Sequence, residues 1–469
     1  MPLVKVVKFG GGCFRKPKGV EQIIAIIKSS QPVPVVVVSA IHGCTNLLLE
    51  ILNQALEGKQ NVHLALNQLI ARHLQLISAY PETVKKRIKQ KLRQKLNSLK
   101  NFLLGVSLTR EVSPYLQAKI ISYGERLTAL LLQELLLTHE CSAVALETDA
   151  LGLITDDSPH QASALFPETT TNLSRCLLPY LRTGTVPIVT GFFGRTRNGQ
   201  ITTFGRNGSD YTAAVVARAL QAEKLELWKD VPGFLTADPQ LEPQAQKIDH
   251  LSYFEAAELS YFGAKIVHPR TFEPLLAAPI PIEIKHLHSP HAPGTLISQN
   301  SHRSQGVIKS VAANREISLL HLLGPGVGYQ PGIIASVGQA LADEGINIYS
   351  ILTSQTRINL LLHQQDLEKA SQKLKKFTPG IISSVIREED IALIGLVGEG
   401  LKVKKGIFAR VFGAVSRAGV NVEVISAGAS EVAYYFIVKD KYLKPAVASI
   451  HQEFFGQALS RAVNGTSRP

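Results

Sequence analysis

Arg206, Ser209 and Asp210 lie together in one glycine-broken stretch, residues 202–212, that runs straight into 213–220. The second part is Ala-rich and apolar at helical spacing, which predicts a helix with Ser209 or Asp210 as its N-cap. Free N–H groups and the dipole at a helix N-terminus favour an anion, so phosphate or carboxylate chemistry fits. A capped helix after an ordinary surface turn explains the same residues. The stretch by itself leaves both readings open.

A second candidate lies at the start of the chain. Residues 4–9 are a short β-branched run closed by Gly10-Gly11-Gly12, a strand feeding a glycine loop. Residues 21–29 read as a helix and 34–40 as a fully buried strand, the opening of a parallel α/β sheet. Three glycines let backbone N–H groups approach phosphate oxygens, and Lys8 places a point charge beside them. A strand-end lysine that only reaches solvent is the plainer reading. The loop is not the dinucleotide GxGxxG, and neither GxxxxGKS nor GxxxxGKT occurs. The polar stretch His42-Gly43-Cys44-Thr45-Asn46 then falls at a strand's carboxyl end, where open α/β sheets place ligands.

These residues need a scaffold. Residues 47–122 read as mostly helical, with one weak turn near Tyr80-Pro81, and lead into Gly124-Glu125-Arg126 and a Leu-rich helix to 137. A glutamate in the first turn is ordinarily a match to the helix dipole. Strands are predicted at 144–147, 152–155, 186–190 and 225–228, with turns at Gly191-Phe192-Phe193-Gly194 and Asp230-Val231-Pro232-Gly233. Residues 298–306 are polar and featureless and read as a linker.

The tail repeats itself. Residues 332–348, from Gly332-Ile333-Ile334 to Gly345-Ile346-Asn347-Ile348, align without gaps on 406–422, from Gly406-Ile407-Phe408 to Gly419-Val420-Asn421-Val422. Each copy reads as a small βαββαβ unit. The first copy has a last strand at 381–386, whereas 458–469 offers the second copy none. Residues 306–312 could complete it, nesting one module inside the other.

The 469 residues suggest two to four domains. Cys13, Cys44, Cys141 and Cys176 form no CxxC pair, so neither a zinc site nor a disulfide framework is indicated, and a reduced, cytoplasmic protein is expected. There is no apolar run of membrane-spanning length. The net charge of +13 permits nucleic-acid binding, but much of it sits at 85–96, where Val84, Ile88, Leu92 and Leu96 recur every fourth residue. That pattern reads as a helix with a solvated basic face, and no aromatic interleaving accompanies it.

Taken in order, Lys8-Phe9-Gly10-Gly11, Ser39 with Gly43-Cys44-Thr45-Asn46-Leu47-Leu48, Gly124-Glu125-Arg126, Gly191-Phe192, Gly205-Arg206-Asn207-Gly208-Ser209-Asp210-Tyr211, Asp230-Val231-Pro232-Gly233 and Phe262-Gly263-Ala264-Lys265 resemble the motifs of aspartate kinases. The repeat resembles their paired ACT modules, so the likeness covers nearly the whole chain. It implies a three-layer α/β/α amino-acid-kinase domain over 1–297, a linker over 298–306 and ferredoxin-like ACT modules over 307–388 and 389–469, with strand 307–314 a candidate to complete the second. The activity implied is ATP-dependent phosphorylation of the L-aspartate side chain, opening the route to lysine, diaminopimelate, threonine and methionine. No homoserine dehydrogenase domain follows Pro469, so a monofunctional enzyme is expected.

The resemblance also implies roles. Lys8 and Asp210 are the catalytic pair, with Asp210 holding Lys8 and helping to organise Mg2+ with ATP. Thr45, Glu125, Phe192, Arg206 and Ser209 meet the substrate, Glu125 at its ammonium and Arg206 at a carboxylate. Lys8, Gly10, Gly11, Lys229, Asp230, Leu235, Gln240 and Lys265 line the nucleotide, and no residue is assigned as a resident metal ligand. Gly332, Ile334, Asn347, Ile348 and Ser354 form the effector site, with lysine the expected effector. A homodimer or dimer of dimers is expected, with neither nucleic acid nor membrane as partner. Departures from the family pattern are Gly12-Cys13 for Thr-Ser, which removes two hydroxyls near the phosphates, Asn207 for Gly, and Leu235 and Gln240 for Tyr and Arg. Two other readings stand beside this one: an amino-acid sensor with weak catalysis, and a kinase acting on another amino acid such as glutamate.

Overall fold

Runs of β-branched residues near the start of the chain form the centre of the main sheet. In chain order its strands are β1 (Lys5–Phe9), β2 (Val35–Val38), β3 (Ala143–Leu146), β4 (Val186–Thr190), β7 (Lys224–Lys229), β8 (His250–Ser252), β9 (Ile282–His286) and β10 (Thr295–Ser298). Between them β5 (Phe193–Arg195) and β6 (Ile201–Thr203) make a separate hairpin. The spatial order is β3-β4-β2-β1-β7-β9-β10-β8, parallel from β3 through β9. β10 runs antiparallel to β9 and parallel to β8. The computed structural model describes residues 3–59, 61–299, 307–328, 330–376 and 382–464, with side chains to 456.

The chain divides into two units. The first comprises residues 1–234, 247–257 and 265–302, and the second 235–246, 258–264 and 303–469. In the first, α1 (Pro17–Ser29), α2 (Cys44–Glu57), α3 (Val62–Gln75), α4 (Glu82–Thr109), α5 (Pro114–Ile121), α6 (Tyr123–Thr138), α7 (Thr148–Leu151), α8 (Phe166–Arg182) and α9 (Gly208–Ala219) accompany the sheet. Val7, Phe9, Val36 and Val38 enter one large core with α1, α2, α4 and α6. Alternation along a strand turns Lys8 to the opposite face, where α9 packs on β1 and β7. Because α9 is covered on nearly every side, its small residues Ala213, Ala214, Ala217 and Ala219 are all buried.

Several local expectations change. The long helical stretch before Ser122 is four helices, broken at the expected turn before Pro81 and also where Gly58 and Arg110 take left-handed C-cap conformations. Residues 152–155 are not a strand: Ile154 and Thr155 each make only a single bridge, after the short helix α7. On α4, Val84, Ile88, Leu92 and Leu96 are buried, but the basic side is not wholly solvated. Lys91 Nζ lies 2.6 Å and Arg87 Nε 3.3 Å from the buried carboxylate of Glu134 on α6.

The second unit carries two four-stranded sheets. The first holds β12 (Ile317–Leu323), β13 (Ile348–Ser354), β14 (Arg357–His363) and β15 (Ser384–Glu388) in the order β13-β14-β12-β15. The second holds β11 (Ser310–Asn314), β16 (Ile391–Val397), β17 (Val424–Ser426) and β18 (Ala433–Lys439) in the order β11-β16-β18-β17. β11 pairs with β16 from Ser310–Val397 to Asn314–Leu393, so the strand preceding the first sheet joins the second. The helix Leu443–Asn464 occupies most of the stretch where no fourth strand could be found. Of the predicted linker, Ser298 ends β10 and 300–306 lie outside the described residues, as does 381 of the predicted strand 381–386.

Segments 235–246 and 258–264 are integral to the second unit. Thr236 Oγ1 lies 2.9 Å from His451 Nε2, and Val311 N–H donates to the Thr236 carbonyl at 2.8 Å. Phe262 packs on Tyr435 with ring centroids 5.7 Å apart, and a Cβ on Gly395 would lie 2.5 Å from the Phe262 ring. The segment Phe262-Gly263-Ala264-Lys265 therefore straddles the division, with Lys265 in the first unit.

Candidate active site

The parallel strands deliver their carboxyl ends to one edge of the main sheet, and the candidate residues gather there. β1 ends in Lys8 and Phe9, then turns through the glycines, with Gly10 N–H donating to the Trp228 carbonyl of β7 at 3.3 Å. β7 ends in Lys229, and Asp230 follows it. α9 points its first turn at the same edge, and Asp210 is in that turn.

Lys8 and Lys229 share the Asp210 carboxylate: Lys8 Nζ is 2.5 Å from Oδ1 and Lys229 Nζ 2.7 Å from Oδ2. Asp210 is 1 % and Lys8 4 % exposed, so a lone charge here would be costly. Burial works to raise the Asp210 pKa, but the adjoining Lys229 and Lys8 overcome it and bring the carboxyl down to about 2. Burial, together with Lys229, holds the Lys8 ammonium below its ordinary pKa against the pull of Asp210. Each oxygen of Asp210 therefore faces one ammonium group.

The N-cap of α9 is Asn207, not Ser209 or Asp210. Asn207 has φ 55°, a left-handed conformation that asparagine tolerates better than most residues, which accommodates it where the family commonly has glycine. Relieved of capping, Asp210 faces the lysines. Ser209 is buried against Gly191, where an added Cβ would lie 2.6 Å from the Ser209 Cβ. Phe192, at φ 77°, donates its N–H to Thr212 Oγ1 at 2.9 Å. Arg206 is exposed in the turn just before α9.

Glu125 comes from the first turn of α6 and is 3 % exposed. Its Oε1 accepts the Ala40 N–H at 2.9 Å, while Oε2 is buried without a hydrogen-bond partner. Burial pushes its pKa up to about 8, with the Ala40 N–H working against the rise. The ordinary dipole-matching glutamate is solvated; this one is not. Arg126 secures the same turn by ion pairs to Glu147 and, at 2.9 Å, to Asp149. Thr45 is half-buried in the first turn of α2, at the carboxyl end of β2.

Gly12 and Cys13 read differently in the fold. A Cβ on Gly12 would stand 2.8 Å from Asp230 Oδ2, so the glycine lets that carboxylate close over the turn. Cys13 is 1 % exposed and directs its thiol to the Trp228 carbonyl at 3.3 Å. Its side chain enters the core, yet lies near enough to Lys8 and Lys229 for their charges to act on the thiol. Leu235 and Gln240 belong to the second unit and are not brought together with Lys8 within the first. Gly332 (φ 90°), Ile334, Asn347 and Ser354 are exposed around one helix start and β13, and Ile348 begins that strand half-buried.

The sequence reading missed His268 and Arg270. His268 is close enough to Arg206 and Asp210 for both charges to act on its imidazole, whose pKa burial lowers. Arg270 binds the Phe204 carbonyl, one residue before the Gly205-Arg206 turn. The only local signal is Pro269, which marks a turn but not what that turn faces.

A glycine turn, two lysines on one buried aspartate and a buried carboxylate with a free oxygen are groups able to neutralise phosphate charge and to hold an ammonium. The sequence model of the amino acid kinase family matches residues 4–286, and ACT-domain models match 313–376 and 394–454. Aspartokinase 2, chloroplastic, of Arabidopsis thaliana is 31 % identical over 97 % of this chain and 84 % of its own. The chain belongs to the aspartokinase family.

Lysine-sensitive aspartokinase 3 of Escherichia coli is 30 % identical across 97 % of this chain and the whole of that relative. Crystal structures of E. coli aspartokinase III match the fold over 96 % of this chain. The form with aspartate and ADP, covered in full, superposes with TM-score 0.78 at 29 % identity, and the form with lysine and aspartate, covered to 99 %, with 0.81 at 28 %. This aspartokinase is thus an amino-acid-kinase domain joined to two ACT domains, and no helix among its described residues is long and apolar enough to cross a membrane.

Proposed function

We propose that this aspartokinase transfers the γ-phosphoryl group of ATP to the side-chain carboxylate of L-aspartate, with Lys8, Asp210 and Lys229 as its charged centre. The observation that carries the reading is the sharing of Asp210 by two lysines beside a glycine turn at the sheet's carboxyl edge. Phosphoryl transfer needs negative charge neutralised on the moving group and the acceptor held in line. A Cβ on Gly10 would lie 3.5 Å from Lys8 Nζ, so the glycine keeps the space above the ammonium open for phosphate oxygens. Lys8 and Lys229 neutralise that charge, and Asp210 fixes both. Asp210 would also help to organise Mg2+ carried in with ATP, whose charge would further neutralise the phosphates.

The substrate needs no general base, because its side-chain carboxylate is already ionised at neutral pH. One carboxylate oxygen bonds to the γ-phosphorus as the bond to the bridging oxygen of ADP breaks, and the electron pair leaves with ADP. Arg206 presents a planar fork to a substrate carboxylate. Glu125 Oε2 takes the ammonium, with Thr45, Phe192 and Ser209 completing the pocket. Gly10, Gly11, Asp230 and Lys265 contact the nucleotide.

Regulation by lysine is supported by the two ACT domains and by the lysine-sensitive relative and its lysine complex. The effector is assigned to Gly332, Ile334, Asn347, Ile348 and Ser354. A homodimer is supported by β13, an edge strand with Ile351 exposed, and a cytoplasmic enzyme by the reduced cysteines. Coupled ADP release with L-aspartate tests the activity, with L-glutamate as the competing acceptor. Turnover of glutamate alone, or of neither, overturns the reading. Titration calorimetry with lysine, threonine and methionine tests the effector, and silence with all three would leave the ACT domains a scaffold.

A further inference from the structure

The turn that carries Arg206 is short, exposed and contains two left-handed residues, Gly205 at φ 75° and Asn207 at φ 55°. Nothing within the turn fixes where the guanidinium of Arg206 points. Its two flanks are fixed, and both are fixed by one residue. Arg270 stands in the short 3-10 turn Pro269–Phe272, whose start is held by His268: Nδ1 accepts the Arg270 N–H at 3.3 Å and the carbonyl accepts the Thr271 N–H at 2.9 Å.

From there Arg270 reaches three ways. One terminal nitrogen donates to the Phe204 carbonyl at 3.2 Å, on the entry side of the turn. The other donates to the Ala162 carbonyl at 2.8 Å and to Ser163 Oγ at 3.1 Å. The guanidinium also lies over the Tyr211 ring, 5.0 Å from its centroid, on the exit side, one residue after Asp210. Tyr211 packs against Phe204 at 4.8 Å and its hydroxyl accepts the Ala164 N–H at 3.0 Å, which closes the circuit. Glu273, 3.5 Å from Nε, balances the charge.

We infer that Arg270 is a positioning residue for capture of the amino-acid substrate: it sets the Gly205–Asp210 turn, and through it the aim of Arg206, without touching substrate. A planar fork donates from separate nitrogens along fixed directions while laying its face on a ring; a lysine has one donor nitrogen and no plane to stack. The inference rests on the proposed role of Arg206 at a substrate carboxylate.

Steady-state kinetics of Arg270→Gln, Arg270→Lys, Arg206→Ala and the Arg206→Ala/Arg270→Gln double variant test it. Misplacement on the ångström scale raises the aspartate KM of Arg270→Gln by about 10-fold or more, with Arg270→Lys between it and wild type and the ATP KM within about 2-fold. In the Arg206→Ala background the Arg270 substitution then adds little, because both act through one side chain. Amide hydrogen exchange over 204–211 quickens in Arg270→Gln and Arg270→Lys. An aspartate KM raised in Arg206→Ala but unchanged in Arg270→Gln overturns the positioning role alone. No change in Arg206→Ala removes Arg206 from the substrate and overturns both. Parallel rises in the two KM values that follow thermal stability across both Arg270 variants make Arg270 a structural residue and also overturn it.

Discussion

Lys8 and Lys229 hold opposite oxygens of a single buried carboxylate, that of Asp210, at 2.5 and 2.7 Å. They come from adjacent parallel strands: Lys8 is registered with Leu227, so Lys229 sits two residues further along β7. One face of one sheet edge thereby gains two ammonium groups with a fixed spacing. Their mutual repulsion is offset by the aspartate between them.

Removing one of these charges removes a contact to the moving phosphoryl group. Lys8→Ala is expected to lower kcat by about 100-fold or more, the scale of losing one preorganised transition-state contact. Lys229→Ala is expected to act in the same direction. A change confined to the ATP KM in either variant would withdraw that lysine from the chemistry.

Asp210→Asn leaves two buried ammonium groups without their anion. Breaking a buried pair from one side costs about 3–5 kcal/mol, so denaturant unfolding should show a large loss along with lost activity. The sign with pH follows from the lowered pKa. The wild-type contribution is fully present above the unfolded value of about 3.9 and is lost as pH falls through about 2. The gap between wild type and Asp210→Asn should therefore narrow in acid.

Glu125 predicts a pH dependence in the neutral range. Burial keeps its carboxyl protonated up to about pH 8 in the free enzyme, and an ammonium ligand needs it ionised. Aspartate binding should release a proton, and the aspartate KM should fall by roughly 10-fold as pH rises from 7 to well above 8. Glu125→Gln should abolish this slope. For stability the sign is opposite to that of Asp210: the Glu125 contribution is present below the unfolded carboxyl value and is lost as pH rises through about 8. Calorimetry in buffers of different ionisation enthalpy counts the proton directly.

Arg206→Lys keeps the charge and loses the fork. A charge-assisted hydrogen bond is worth about 1.5–3 kcal/mol, so the aspartate KM should rise by roughly 10-fold or more while the ATP KM holds. An unchanged aspartate KM would return Arg206 to a structural role.

Feedback is better tested by point substitution than by truncation near residue 305. Removing everything beyond that point would strip 235–246 and 258–264 of the strands and helix they pack on, Thr236 of His451 and Phe262 of Tyr435 among them. Asn347→Ala and Ser354→Ala change exposed side chains and should weaken lysine inhibition without lowering the uninhibited rate. Full inhibition in both variants would move the effector elsewhere.

What the sequence by itself determined rests on short-range pattern. A β-branched run before three glycines placed β1 and its turn, and Ala-rich spacing placed α9. The family motifs brought forward Lys8, Glu125, Arg206 and Asp210. The two-fold repeat announced paired small sheets because each copy carries its own turn and core residues. Only the tertiary structure decided how those parts share charge and space. Asp210 serves Lys229 as well as Lys8, and is released for this because Asn207 caps α9 in a left-handed conformation. Glu125 becomes a weak acid because α6 buries it beneath Ala40, and desolvation is a property of packing rather than of local sequence. Cys13 turns into the core, and Arg270 closes on Phe204 and Tyr211 from about sixty residues away. Proton affinity and aim depend on neighbours that the chain brings together only by folding.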